Sequence, residues 1–341
     1  MSEIFKKRTS VIITGLLSLV MIILIMGFGL FFVRPAEKGG AEQIIIVQEG
    51  MSLKEVAKRL EIKGIITNKT LFMLWARLMG YSRKIKSGEY RLSSNMAPIS
   101  IIEILTRGII ITHSVTIPEG FSIVQIGELL ESKRLVDRQL FLSLSHDPIV
   151  LRKYGIPGPS LEGYLYPDTY QFGRGLSAGS IINAMVKRFM EVVEPYKKRM
   201  EESGMTMEEV ITIASIVEKE TGKAEERPVI SSVFLNRIKK GMRLESDPTV
   251  IYGIKDFTGN LTRKDLSEPT PYNTYTIRGL PPGPIANPGI ESIKAILYPS
   301  ENNYLYFVSK NDGSHYFSRT LKEHSRAVMI YQKRRLPNSK K

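Results

Sequence analysis

The sequence predicts an α+β protein that is mainly helical, with small β-sheets and a transmembrane helix at its N-terminus. Three observations support this prediction: an uncharged apolar run at residues 11–33, strand–turn–helix patterns after it, and amphipathic helices separated by loops rich in Pro and Gly beyond residue 155. The 341 residues leave about 300 beyond the apolar run, enough for two or more domains.

The apolar run at 11–33 has the length of a membrane span, since about 20 apolar residues cross a bilayer. Lys6, Lys7 and Arg8 precede it, and the positive-inside rule keeps that side in the cytoplasm. We expect a cytoplasmic tail at 1–10, a single span at 11–33 and a linker at 34–42. A cleaved signal peptide, the alternative, would have a shorter apolar region that ends in small residues.

Composition narrows the range of functions. The chain has no cysteine, which excludes thiolate and disulfide chemistry, and its four histidines lack the spacing of metal ligands. We therefore expect no metal and no cofactor. The net charge of +14 suggests nucleic acid, but the basic residues are spread among acidic ones, so we expect a basic surface beside anionic lipid headgroups and no nucleic-acid partner.

Two segments repeat one another at a constant offset. The first begins at Val47-Gln48-Glu49-Gly50-Met51-Ser52-Leu53, and the second at Ile117-Pro118-Glu119-Gly120-Phe121-Ser122-Ile123. Each predicts a strand, a Glu-Gly turn, a Ser helix cap and two helices. The first copy also resembles a LysM module, a glycan-binding fold, so 43–112 is predicted to be a LysM-like subdomain. A plain spacer between the membrane and a catalytic part is the alternative.

The remaining residues, 113–341, form the predicted catalytic domain, with the second repeat at 113–155 and the core at 156–336. Thr206 and Glu209 form a capping box for a helix that ends near Glu218. Glu218 lies beside an apolar stripe and close to the helix C-terminus, and both features disfavour its charged form. It is a candidate general acid, although spacing alone favours a polar residue at the edge of a helix.

Five ordered motifs carry a family resemblance. They are Glu162-Gly163-Tyr164-Leu165-Tyr166-Pro167-Asp168-Thr169-Tyr170, Ala214-Ser215-Ile216-Val217-Glu218-Lys219-Glu220-Thr221, Met242-Arg243-Leu244 with Ser246-Asp247-Pro248-Thr249-Val250, Pro271-Tyr272-Asn273-Thr274-Tyr275, and Gly279-Leu280-Pro281-Pro282-Gly283-Pro284-Ile285. Together they resemble the endolytic murein transglycosylases of bacteria, the MltG or YceG-like family. The resemblance implies a lysozyme-like catalytic domain facing away from the cytoplasm, on the inner membrane.

The resemblance implies an enzyme that cuts the glycan strand of peptidoglycan with one catalytic Glu, which matches Glu218. That acid protonates the bond between N-acetylmuramic acid and N-acetylglucosamine, and the C6 hydroxyl of the sugar closes a 1,6-anhydro ring. The implied partners are nascent glycan strands, membrane lipid and the peptidoglycan synthases (penicillin-binding proteins), with a role in terminating strand elongation.

The other motif residues are predicted to bind the substrate. They are Glu162, Tyr164, Asp168, Tyr170, Ser246, Asp247, Tyr272, Asn273 and Tyr275. Structural alternatives remain open for them: helix caps for Ser246 and Asp247, a packed turn for Tyr272 and Asn273, and a core position for each tyrosine. A hydrolytic muramidase and a wall-binding scaffold without activity are the competing functions.

Overall fold

The computed structural model describes residues 2–37, 39–255, 257 and 259–333. They form an α+β protein with two compact units, one made of residues 1–113 and 171–177 and the other of 114–170 and 178–341. The α+β class predicted from the sequence is confirmed. Each unit is described by itself below.

The first unit contains a long N-terminal helix and a small α/β core. Its elements are α1 (Ser2–Val33), β1 (Glu42–Val47), α2 (Leu53–Ile62), α3 (Lys69–Leu78), β2 (Gly88–Ser93) and α4 (Pro98–Arg107). Strands β1 and β2 pair in antiparallel fashion, with Ile45 opposite Tyr90. Both of these side chains join one apolar cluster with Leu60, Phe72 and Ile101, which is how the strands and helices of this unit are held together.

Helix α1 contains the apolar run predicted from the sequence. Its segment Ile12–Val33 is 22 residues long with a mean hydropathy of 2.9, which is long and apolar enough to cross a membrane. Near its end, Phe32 is buried and its ring stacks on Trp75 of α3 at 4.5 Å between centroids. The C-terminal end of this helix is therefore packed against the small core of the first unit.

The second unit is mainly helical. Its elements are β3 (His113–Thr116) and β4 (Thr169–Phe172), each of which has residues on both sides of the division, and α5 (Ile123–Ser132), α6 (Arg138–Ser145), α7 (Pro148–Tyr154), α8 (Ala178–Val193), α9 (Lys197–Ser203), α10 (Met207–Glu220), α11 (Arg227–Lys239), α12 (Asp247–Gly253), α13 (Arg263–Ser267), α14 (Ile290–Leu297), β5 (Tyr306–Ser309), β6 (His315–Ser318) and α15 (Leu321–Val328). Strand β3 pairs with β4, and β5 with β6. The β5–β6 hairpin turns at 310–314, where the sequence Asn311-Asp312-Gly313 is typical of a tight turn.

The two copies of the repeat fold alike. In each copy a strand, β1 or β3, leads to a helix, α2 or α5, and then to a second helix, α3 or α6. Ser52 and Ser122 each accept a hydrogen bond from the backbone three residues on, in matching capping boxes. Equivalent local sequences therefore produce equivalent elements in both units.

Helix α10 is the central helix of the second unit. Every residue from Val210 to Val217 is buried, and the helix packs against α11 and α14. The capping box of Thr206 with Glu209 begins it, as the sequence predicts. Because α10 is packed on all sides, it holds the residues at its C-terminal end, which is Glu220, in a fixed position.

The loop at Gly163 packs closely against the loop at Pro284 and against helix α10. Gly163 has φ +88°, and a Cβ atom at this position would lie 2.6 Å from Pro284 and 2.7 Å from Ile211. Only glycine tolerates both the conformation and the distance. The first and the last of the five motifs are therefore in contact, and both lie against α10.

Candidate active site

Three consecutive charged residues, Glu218, Lys219 and Glu220, occupy the end of α10. Successive helical residues are rotated by about 100°, so Glu218 and Glu220 project from nearly opposite sides of the helix. The two carboxyl groups consequently have separate surroundings. Their environments decide which of them can act as an acid.

Glu218 is surrounded by hydrogen-bond donors. Its carboxylate accepts bonds from the Ser292 hydroxyl at 2.7 Å, the Gly289 backbone N–H at 3.0 Å and the Arg227 guanidinium at 3.3 Å. The Glu218 side chain is only 6% exposed. Gly289 is the N-cap of α14, where the helix dipole stabilises negative charge. The sequence predicts an apolar environment for Glu218; the structure instead gives it the partners of a fixed carboxylate that ties α10 to α11 and α14.

Glu119 lies beside this cluster. Its carboxylate is 3.8 Å from the Arg227 guanidinium, so Arg227 faces two acidic groups. Burial and the nearby charge of Glu218 raise the pKa of Glu119. Gly120 also lies next to Glu218, since a Cβ atom at its position would be in van der Waals contact with the Glu218 side chain at 3.5 Å.

Glu220 has a different environment. It receives a 2.5 Å hydrogen bond from the Ser246 hydroxyl. Burial raises the pKa of Glu220 to about 7; the Ser246 bond and Arg237 oppose that rise, while the negative charge of Asp247 adds to it. A carboxyl group with this pKa is both protonated and deprotonated in appreciable amounts near neutral pH, as acid–base catalysis requires.

Glu220 opens onto a cavity of about 430 Å³. Charged and polar side chains dominate its lining, among them Arg237, Glu245, Asp247, Tyr275 and His315. The Tyr275 hydroxyl donates to Asp247 at 2.6 Å, and the Arg237 guanidinium lies 3.1 Å from Glu245. Such a surface offers hydrogen-bond donors and acceptors next to the acid, which is what a sugar with many hydroxyl groups needs.

Two of the predicted site residues, Asp247 and Tyr275, line this cavity. A third, Ser246, is buried behind it and bonds Glu220. Ser246 occupies the N-cap position of α12, as one alternative has it, but its side chain makes no capping bond. It bonds Glu220 instead. The Ser246 side chain therefore binds the carboxyl group at the end of α10 and does not cap α12.

Glu162 belongs to a second cavity, of about 560 Å³, which Lys219, Tyr252 and Ile285 also line. The buried Glu162 carboxyl accepts from the Ile123 N–H at 3.0 Å, the Asn287 side chain at 2.9 Å and the Tyr252 hydroxyl at 3.2 Å. Burial raises its pKa to about 8, against the effect of these donors. Asn287 also bonds Phe121, so this network holds the turn at 119–121 in place next to Glu218.

Two predicted substrate contacts are not supported by the structure. Asn273 is fully buried, and its amide N–H groups donate to the carbonyls of Asp265, Leu266 and Glu268, which closes the end of α13. Tyr164 is 2% exposed and packs edge-on against Phe189 in the core. The structure thus places both where the packed-turn and core alternatives put them, and their contact with substrate stays a prediction.

The remaining predicted residues lie elsewhere in the second unit. Asp168 is paired with Arg188 at 2.8 Å, and the Tyr170 hydroxyl donates to the Tyr166 carbonyl at 2.6 Å. The Tyr272 ring packs on Tyr252 at 4.8 Å, beside the cavity of Glu162. Within the described residues, the hydrogen bonds of Glu218 go to Ser292, Gly289 and Arg227, and not to Glu162, Asp168 or Asn273.

Sequence reasoning missed the partners that distinguish the two carboxyl groups. Arg227, Ser292 and Arg237 lie outside the five motifs or between them. Glu220 lies within the same motif as Glu218, and its position on the opposite side of the helix is readable from helical spacing. The sequence signal that could have indicated Glu220 was the polar pair Ser246-Asp247, because Ser246 bonds Glu220.

Known proteins resemble this chain over most of its length. The model of the YceG-like family matches residues 45–329. The endolytic murein transglycosylase of Bacillus subtilis is 33% identical over 321 residues, which cover 89% of each protein. That of Streptococcus pneumoniae D39 is 27% identical over 83% of this chain and 57% of its own length.

A solved structure from the same family also resembles this chain. The crystal structure of a YceG-like protein from Listeria monocytogenes is 34% identical in sequence and superimposes with a TM-score of 0.59, covering 85% of this chain and all of that one. The fold, the order of the motifs and the extent of the match lead to one assignment: this chain belongs to the YceG-like family.

Proposed function

We propose that this chain is a lytic transglycosylase that cleaves peptidoglycan glycan strands internally, with Glu220 as its acid and base. The observation that carries the proposal is a half-buried carboxyl group with a pKa near 7 that faces a polar cavity at the end of helix α10. The names of the Bacillus and Streptococcus relatives supply the substrate and reaction class.

The mechanism needs one carboxyl group that changes its protonation state twice. Protonated Glu220 donates its proton to the glycosidic oxygen between N-acetylmuramic acid and N-acetylglucosamine as the C1–O bond breaks. The resulting carboxylate then takes the proton of the muramyl C6 hydroxyl, whose oxygen bonds to C1 and closes the 1,6-anhydro ring. Because the nucleophile is part of the substrate, its attack is intramolecular and no water is consumed.

The neighbours of Glu220 fit this cycle. Ser246 donates to the carboxylate form and so stabilises it after the first proton transfer. Asp247, held by Tyr275, places a negative charge in the same cavity, where positive charge develops on the sugar ring. Glu218, the acid predicted from the sequence, is the alternative; its fixed ion pair with Arg227 favours a structural role.

Asp247 also motivates a competing function. A second carboxylate in the cavity could act as a base that activates water, which would make the enzyme a hydrolytic muramidase. Mass spectrometry of the muropeptides released by the purified chain separates the two reactions. We expect products that end in 1,6-anhydro-N-acetylmuramic acid; products with reducing muramic acid ends would replace the proposal by hydrolysis, and no products at all would favour a binding scaffold.

The pH profile provides a second test. Cleavage needs protonated Glu220, which predominates below its pKa of about 7, so we expect kcat/KM to fall as the pH rises through that value. Ser246→Ala removes a bond that lowers this pKa. The alkaline limb of its profile should therefore move upward by about one pH unit, measured by glycan cleavage across pH.

Ser292→Ala is the matched control, because Ser292 donates to Glu218 as Ser246 does to Glu220. We expect its alkaline limb to stay in place. If Ser292→Ala moves the limb and Ser246→Ala does not, the acid is Glu218.

The proposed function includes a place of action at the cytoplasmic membrane. Helix α1, preceded by basic residues, anchors the chain in the cytoplasmic membrane with the catalytic unit on the outer side. There it cuts strands as they are made, near the peptidoglycan synthases, and terminates their elongation. The first repeat acts as a LysM-like glycan-binding subdomain, and the catalytic unit has a lysozyme-like core; the support for both is the sequence resemblance.

A further inference from the structure

We infer that helix α3 lies in the outer leaflet of the same bilayer that α1 crosses, so that the first unit docks onto lipid. This inference rests on the proposed membrane anchoring by α1. It adds a second, peripheral membrane contact to the single transmembrane anchor.

Helix α3 is apolar on both of its sides. Phe72 and Ala76 are fully buried in the core of the first unit. On the other side, Leu74 is 45% exposed and Leu78 67%, and Met79 directly after the helix is 52% exposed. Polar residues of α3, Lys69, Thr70 and the exposed Arg77, occupy only the sector between these two apolar sides. An apolar side of a helix normally has an apolar environment. The core of the first unit covers the side of α3 that carries Phe72 and Ala76, but not the side that carries Leu74 and Leu78.

The uncovered side of α3 faces the membrane helix. One cavity of about 530 Å³ is lined by Ile23, Ile25 and Phe28 of α1 together with Leu71, Leu74 and Leu78 of α3. These α1 residues lie inside the candidate span Ile12–Val33 and are themselves largely exposed. When α1 is surrounded by acyl chains, the same acyl chains reach the gap and the α3 leucines.

The depth of α3 follows from its position along α1. Phe28 and Ile23 precede Val33, the end of the span, by five and ten residues, so at 1.5 Å per residue they lie about 7 and 15 Å inside it. Interfacial helices insert by about 5–10 Å, so the Phe28 end of the gap lies at the depth at which such helices bind, and the Ile23 end lies deeper among the acyl chains.

Aromatic and basic residues mark the level of the headgroups. Phe32 stacks on Trp75, and Trp75 lies 6.2 Å from Tyr81, which forms a short aromatic row near the end of the span. Tryptophan and tyrosine favour this zone of a membrane. Arg83 and Lys84 follow, exposed, and can reach anionic phosphates. The order along the surface, apolar, then aromatic, then basic, matches the layers of a leaflet and favours lipid over a protein partner.

The chain carries its own probe, because Trp75 is its single tryptophan. The full chain is reconstituted in phosphatidylethanolamine and phosphatidylglycerol vesicles, with and without brominated acyl chains, and Trp75 emission is recorded. We expect the brominated lipid to remove at least about half of the emission and the membrane to shield Trp75 from aqueous iodide.

Leu74→Glu with Leu78→Glu should reverse both results, with weaker lipid quenching and stronger iodide quenching, while the protein stays in the membrane through α1. Ile44→Glu, at an exposed position on β1 outside this groove, is the matched control and should behave like the parent.

Extraction of the protein by alkaline carbonate tests anchoring separately. A chain that resists extraction but whose Trp75 is untouched by brominated lipid would overturn the docking of α3 and leave the anchor intact. Shielding of Trp75 from both quenchers, together with chemical crosslinking into dimers, would assign the groove to a second copy of the chain and also overturn it. Release by carbonate would remove the anchor and the docking together.

Discussion

Glu220→Gln is expected to lower glycan cleavage by about 10²–10⁴-fold, the range that a positioned general acid contributes. The amide retains an oxygen that accepts the Ser246 hydrogen bond, but its N–H protons are not acidic enough to be transferred to the glycosidic oxygen. The measurement is the rate of muropeptide release from purified peptidoglycan. Because the substitution is isosteric, the free energy of unfolding should stay within about 1 kcal/mol of the parent.

Glu218→Gln is the matched variant on the other side of the same helix. Its amide keeps one oxygen that can accept from Gly289 and Ser292, but its NH2 group then faces the Arg227 guanidinium, and that buried guanidinium loses much of its compensating charge. We expect the free energy of unfolding to fall by about 3 kcal/mol, read by chemical denaturation. In the folded fraction, cleavage should persist. A stable but inactive Glu218→Gln, beside an active Glu220→Gln, would restore Glu218 as the acid.

The helix that carries the site could be predicted from sequence because its signals are local. The capping box of Thr206 with Glu209 and the run of apolar residues define α10 without any tertiary information. The same holds for the two repeats, whose Ser caps and Glu-Gly turns lie within a few residues of one another. The motif Ala214–Thr221 covers the end of this helix, where both carboxyl groups lie.

What surrounds each carboxyl group could not be predicted, because its partners are distant in sequence. Ser292 lies 74 residues from Glu218, and Ser246 lies 26 residues from Glu220. Spacing shows that two side chains leave a helix in opposite directions, but not which direction meets an arginine and which meets a cavity. Asn273 illustrates the same limit: its motif suggested sugar binding, whereas its amide closes α13.

Arg237→Met should have the largest effect on stability, because Arg237 joins three segments around the cavity of Glu220. Its guanidinium donates to the carbonyls of Leu305, Leu244 and Arg243 at 2.6, 2.8 and 3.1 Å, and its side chain is 8% exposed. Methionine fills similar space but leaves these carbonyls without that donor. We expect the free energy of unfolding to fall by about 3–5 kcal/mol, measured by chemical denaturation.

The same variant also tests the electrostatics of the acid. Arg237 lowers the pKa of Glu220, so in the folded fraction of Arg237→Met the alkaline limb of the pH profile should move to higher pH. Arg243→Met, at an exposed neighbouring position, is the control and should stay within about 0.5 kcal/mol of the parent. Arg237→Lys keeps the charge but not the forked geometry, so it should restore the pH profile and only part of the stability. An unchanged denaturation midpoint for Arg237→Met would mean that these three bonds contribute little, and an unmoved alkaline limb would separate Arg237 from the acid.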